Sequence, residues 1–148
     1  MVSRPIFDDE MVIVVDPRHP LARRPFVAPA DLAAETLLMY SPKEESTIYR
    51  LLSGEGIVPA NTHVIQLTEA IVEMAKAGLG CAFLARWAVE PQVRAGTIRA
   101  IPYTRRGYRR TWSAATLKDM ARVPYVREFI DLLVDHPPFQ GKTGKLRN

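Results

Sequence analysis

Thr68, Ser41, Gln66, Glu69 and Tyr40 are the side chains in this sequence best placed to hold a small ligand. Thr68 opens the stretch Leu67–Trp87, LTEAIVEMAKAGLGCAFLARW, which reads as a helix, a glycine turn, a buried strand and the start of another helix. A threonine at that position is expected to cap the helix, its hydroxyl accepting from a free N–H of the first turn. Leu67 and Val72 have the spacing of a hydrophobic staple. Free N–H groups beside a hydroxyl also form a receptor for a carboxylate. Ser41 offers a second hydroxyl and Gln66 an amide near the same end. Glu69 could balance an ammonium group or simply complement the helix dipole, as Lys76 does in the last turn.

Other chemistries find less support. Cys81 lies in the apolar run Cys81-Ala82-Phe83-Leu84, where a thiol is inert, so a thiol–imidazole pair with His19 or His63 is set aside. His19, His63 and His136 have no metal-ligand spacing with Cys81. Neither GxGxxG nor GxxxxGK[ST] occurs. Asp8-Asp9 and Glu44-Glu45 read as solvated loop charge. Trp87 and Trp112 read as core or interface aromatics. No catalytic set, metal or cofactor is expected.

The chain has 148 residues, 47% of them hydrophobic and 24% charged, the balance of a globular domain. Its net charge of +4 is concentrated in Arg105-Arg106, Arg109-Arg110 and the tail Lys142, Lys145 and Arg147. Tyr103 and Tyr108 are interleaved with the arginines, but without a DNA-reading motif this reads as a solvated basic face. A single cysteine suits a reducing compartment. The N-terminus, MVSRPIFDDEMVIVV, does not read as a signal peptide, and no apolar run approaches a bilayer span. The expected location is the cytoplasm.

The elements that must position these residues follow in order. Met1–Pro5 reads as a lead-in and Met11–Val15 as a strand stopped by Asp16-Pro17-Arg18-His19-Pro20. A short helix with proline in its first turn is expected at Pro29–Ala33, a strand at Thr36–Tyr40, a helix at Thr47–Leu52 and a strand at His63–Ile65. Gly78 suits the left-handed position after a helix. Arg86–Arg94 reads as a helix interrupted by Pro91, Thr97–Ile101 as a strand and Tyr103–Arg110 as a basic loop. Thr111–Leu117 reads as a strand, and Pro124–Asp135 as an amphipathic helix with Val126, Phe129, Ile130, Leu133 and Val134 on one stripe. Phe139–Asn148 reads as a disordered tail. Alternating strands and helices predict an α/β sheet. Its ligand should sit beyond the carboxyl ends of the strands, where Tyr40-Ser41 and Gln66-Leu67-Thr68 both fall.

Three motifs in order resemble the effector-binding domain of LysR-type transcriptional regulators. They are the strand ending in VDPRHPLA with the following ADLAAETLLMYS; EAIVEMAKAGLGCAFLARW, similar to the family's helix and VxAGLGIxxLP; and Gly96-Thr97-Ile98 followed by TWSAATL. The resemblance covers about residues 7–136. Within the family the chain is most similar to the regulators of methionine biosynthesis, which respond to homocysteine. Ala85 stands where the family usually has proline, and Cys81 where isoleucine or valine is usual.

The resemblance implies a periplasmic-binding-protein-like (type 2) α/β fold: one lobe with a mixed sheet flanked by helices, and an incomplete second lobe. Residues 1–11 would be the lead-in and start of the crossover strand, 12–103 regulatory lobe II, 104–136 a returning strand and helix of lobe I, and 137–148 a tail. The family's winged helix-turn-helix, its linker helix and the first half of lobe I have no counterpart in the sequence, so the chain reads as a fragment. The implied function is effector sensing in a cleft between lobes, with DNA bound only by the intact protein. Residues at the start of the Thr68 helix commonly contact effector in this family. The unpaired lobe I strand and helix would favour a homo-oligomer. A solute-binding lobe of a transport system and a small cytoplasmic α/β enzyme are the alternatives.

Overall fold

The computed structural model describes residues 1–137. It divides into two compact units, residues 10–108 and residues 1–9 with 109–137. The expected tail lies outside the described residues.

The larger unit is built on a mixed sheet. Its strands are the later part of β1 (Val2–Val15), then β2 (Thr36–Met39), β3 (Asn61–Val64), β4 (Cys81–Ala85) and β5 (Arg99–Pro102), in spatial order β3-β2-β4-β1-β5. β2 runs parallel to β3 and β4, whereas β1 runs antiparallel to β4 and β5. Met11–Val15 and Cys81–Ala85 are buried throughout. That explains why both read as unbroken apolar runs rather than alternating ones. Each fully buried Leu or Ile side chain stabilises such a sheet by ~1.5–3 kcal/mol.

α1 (Thr47–Gly54), α2 (Thr68–Lys76) and α3 (Arg86–Arg94) join the strands. Ile71, Val72 and Ala75 of α2 and Val89 of α3 enter one core with Val12, Val14, Leu38, Ala82, Leu84 and Ile98. α2 ends as expected: Gly78 takes φ +74°, its N–H donates to the Ala75 carbonyl, and Leu79 N–H donates to the Met74 carbonyl. Gly80 is required for a different reason. A Cβ there would stand 2.6 Å from the Thr36 carbonyl oxygen and 3.0 Å from Leu38 Cγ.

Several boundaries depart from the sequence reading: β3 starts at Asn61, two residues early, and α1 runs on to Gly54. β1 begins at Val2, so Met1–Pro5 is not a lead-in and Asp8-Asp9 is not a loop. Asp9 is only 5% exposed, and neither of its carboxylate oxygens has a hydrogen-bond partner among the described residues. It is therefore not solvated charge, unlike Glu44 and Glu45, which are exposed. α3 continues through Pro91 without interruption. Proline removes one donor there, but its carbonyl still accepts from Ala95 N–H at 3.0 Å. β5 starts at Arg99, two residues late. β6 (Tyr108–Thr116) absorbs Tyr108, Arg109 and Arg110 from the expected basic loop.

The smaller unit joins the start of β1 to β6 and to α4 (Pro124–Asp135). β6 pairs with β1. Phe7 stacks on Trp112 with centroids 6.2 Å apart, Arg110 lies over the Trp112 ring, and Thr111 Oγ1 donates to Asp8 Oδ1 at 2.6 Å. Arg4 pairs with Asp131 of α4. Of the expected α4 stripe, Ile130 is buried, Val126, Leu133 and Val134 are half-buried, and Phe129 is 59% exposed beside exposed Tyr125 and Leu132.

Candidate functional site

Strand directions gather one end of the larger sheet into a site. β2, β3, β4 and β5 all finish there, and β1 passes through it in the opposite sense. Met39 pairs with Val64, and Ile65 N–H donates to the Met39 carbonyl at 2.8 Å. Tyr40-Ser41 and Gln66–Thr68 therefore leave from adjacent strand ends. Leu38 pairs with Ala82, which brings Ser41 level with Ala85. Met11 pairs with Ala85, so Glu10 and Arg86 meet on the next strand over.

Thr68 is not the cap of α2. Leu67 occupies that position in an extended conformation (φ −148°, ψ 110°), and no side chain caps the helix. Thr68 is the first helical residue, so its hydroxyl does not cap the helix. The staple fails with it: Leu67 is itself the cap position and is 56% exposed, while Val72 is buried. The consequence favours a ligand. The first helical bond runs from Ile71 N–H to the Leu67 carbonyl at 3.1 Å, which leaves the N–H groups of Thr68, Glu69 and Ala70 ahead of it. The positive end of the helix dipole is directed the same way.

The other expected residues take varied positions. Ser41 and Thr68 are half-buried, and neither hydroxyl makes a hydrogen bond among the described residues. Gln66 and Glu69 are exposed, with Glu69 in the first turn of α2. Tyr40 is 54% exposed. All five lie at the same end of the sheet.

One charged pair at this end escaped the sequence reading. Arg86 Nε stands 3.7 Å from Glu10 Oε2, and both side chains are about three-quarters buried, at 27% and 28% exposure. Gly107 lies beside this pair: a Cβ there would come within 2.6 Å of Glu10 Oε1, at the flexible end of that side chain. Gly107 has φ +72° and follows Thr104, the one non-glycine residue with positive φ among those described. A signal existed in the sequence. Arg86 directly follows a buried strand and Glu10 directly precedes one, but their meeting depends on the antiparallel register of β1 and β4.

Cys81 is a fully buried free thiol. Its Sγ donates to the Thr36 carbonyl at 3.6 Å, and burial pushes the thiol up to about 12. Among the described residues no group of His, Cys, Asp and Glu could hold a metal ion, and no helix is long and apolar enough to cross a membrane.

An open mixed sheet flanked by helices is the architecture of a periplasmic-binding-protein-like α/β domain. The chain belongs to the LysR substrate binding domain family, whose model matches residues 1–138. It is 33% identical over 141 residues to the HTH-type transcriptional regulator MetR of Salmonella typhimurium, covering 91% of this chain and 44% of that protein. It is 30% identical over 135 residues to the HTH-type regulator CbbR of Xanthobacter flavus, covering 88% and 40%. The regulatory domain of MetR from N. meningitidis superimposes with a TM-score of 0.79 at 27% identity, covering 90% of this chain and 62% of that one. These relatives are transcriptional regulators, not enzymes. The chain spans less than half the length of the curated relatives it matches.

Proposed function

We propose that this chain is the effector-sensing part of a cytoplasmic transcriptional regulator of methionine biosynthesis, taking a small amino-acid-like ligand such as homocysteine. The observation that carries this reading is the uncapped start of α2, with Thr68 in its first turn beside the end of β2. The free N–H groups, the helix dipole and the Thr68 and Ser41 hydroxyls suit a carboxylate, with Gln66, Glu69 and Tyr40 at the margin.

In this reading residues 12–103 are regulatory lobe II, while the strand and helix of 104–136 belong to lobe I. The exposed Tyr125, Phe129 and Leu132 of α4 support homo-oligomerisation. DNA binding belongs to the whole regulator. There the effector shifts a population of conformers by its differential affinity for them.

Titration calorimetry with L-homocysteine against the wild-type chain and Thr68→Ala tests the site. The expected result is saturable binding that weakens in the variant. Binding unaffected by Thr68→Ala would remove the helix entrance from the proposal. Sedimentation over a range of concentrations tests the oligomer, and a monomer at every concentration would refute it.

A further inference from the structure

The hydroxyls and N–H groups assembled by Ser41 and Thr68 are neutral, so a carboxylate bound there would lack a full counter-charge. We infer that Arg86 supplies it, and that Glu10 is the internal counter-ion the ligand displaces. The inference rests on the effector reading above and adds the residue that sets its preference for an anionic ligand.

Four observations converge on Arg86. First, it lies at the site: Ser41 runs level with Ala85, one strand away, by the parallel register of β2 and β4. Second, it is three-quarters buried yet makes no hydrogen bond among the described residues, its approach to Glu10 at 3.7 Å being longer than one. A guanidinium carries five N–H donors in a planar fork that matches a carboxylate. At 27% side-chain exposure those donors still reach water, so a ligand carboxylate can take them in exchange for solvent. Third, Arg86 is the first residue of α3, at the end of the helix where the dipole disfavours a cation. Local stability would be better served by a neutral or acidic residue. Residues that break a local rule in this way belong to functional sites. Fourth, the antiparallel register that pairs Met11 with Ala85 sets Glu10 and Arg86 opposite one another, so backbone pairing places both charges at this end of the sheet.

The expected exchange is simple. The ligand carboxylate takes the guanidinium fork as two charge-assisted hydrogen bonds, and Glu10, released from a loose contact, turns to water. Glu10 thereby keeps Arg86 in place when no ligand is bound and competes with the ligand for it.

The test uses the 148-residue chain labelled with nitrogen-15, titrated with L-homocysteine and separately with its carboxamide. The Arg86 Nε–Hε resonance should shift with the acid and not with the amide. The acid should bind wild type about ten- to a hundred-fold more tightly than the amide, the span of a hydrogen bond to a charged group. Arg86→Gln should abolish that preference, and Arg86→Lys should restore part of it. Glu10→Gln discriminates further, because removing the competitor should strengthen acid binding a few-fold and leave the amide unchanged. A purely structural pair would weaken both. Equal binding of acid and amide by wild type, or an acid preference surviving in Arg86→Gln, overturns the inference and leaves the effector reading standing. No binding of either compound to wild type overturns both.

Discussion

The two ends of the larger sheet are built on opposite terms. At the amino end of β2 and β4 the polar groups are engaged. Asp16 accepts from the Arg18 backbone N–H at 2.7 Å and from its guanidinium at 2.9 Å. His19 Nδ1 accepts from Leu21 N–H at 3.1 Å, and its Nε2 lies 3.2 Å from Glu35 Oε2. Gly78 and Leu79 satisfy the last carbonyls of α2. At the carboxyl end α2 starts uncapped, two hydroxyls are unengaged and Arg86 is held only loosely. Buried or half-buried donors are normally satisfied. In the proposed reading, the groups left unengaged at the carboxyl end are the ones a ligand would take in exchange for water.

The comparison breaks most visibly if mutations at the two ends act alike. The largest effect is expected in the core beneath both. Leu38→Ala removes a fully buried side chain packed with Ile71 and Val72, and should lower unfolding free energy by ~2–5 kcal/mol in denaturant titrations. Gly80→Ala, at the engaged end, forces a Cβ toward the Thr36 carbonyl oxygen at 2.6 Å. It should cost ~1–3 kcal/mol. Neither change touches the proposed ligand residues, so whatever fraction stays folded should keep its ligand affinity.

At the carboxyl end the pattern should reverse. Thr68→Ala and Ser41→Ala remove hydroxyls that satisfy nothing in the described residues, so stability should stay within ~0.5 kcal/mol of wild type. Ligand affinity should fall about three- to ten-fold for each, the range of one neutral hydrogen bond. A loss of stability matching that of Gly80→Ala would mean Thr68 is a scaffold residue, and the contrast between the ends would collapse.

How much of this the sequence reveals depends on the range of the interaction. Local signals carried most elements: the unbroken apolar runs of β1 and β4, proline opening Pro29–Leu32, glycine closing α2. The failures share a cause. Met1–Pro5 reads as a lead-in and Asp8-Asp9 as loop charge, and both become strand in β1, which pairs with β6 from a hundred residues away. The meeting of Glu10 with Arg86 depends equally on a distant segment. Thr68 illustrates a subtler limit. A threonine before an apolar-periodic run is a good cap by type, but the chain enters the helix one residue earlier, at a leucine that cannot cap. Sequence located the helix end to within a residue, and that residue decides whether the hydroxyl caps the helix or is left uncommitted beside it.

Cys81 gives a simple check on how closed the engaged end is. Burial pushes its thiol up to about 12, and the thiolate is the reactive form. A thiol-disulfide exchange reagent at pH 8 should label it only as fast as the chain opens, and at once in denaturant. Rapid labelling of the native chain would show this end to be as accessible as the other.

The smallest expected effect is at Asp16, and its sign follows from linkage. The side-chain hydrogen bond from Arg18, then the bond from its backbone N–H, lowers the carboxyl to about 2 from an ordinary 3.8. A group whose acidity is strengthened on folding contributes stability that is full above its unfolded value and disappears as pH falls through its folded one. The contribution should therefore hold at pH 5 and above and fade between about pH 4 and pH 2. Arg18 is mostly exposed, so water and salt screen the pair and the effect should be small. Asp16→Asn should flatten the acid limb of the stability curve in that window and leave ligand binding at neutral pH unchanged. An equal slope in wild type and variant would assign the limb to other carboxylates, and Asp16 would then organise its turn without contributing to acid stability.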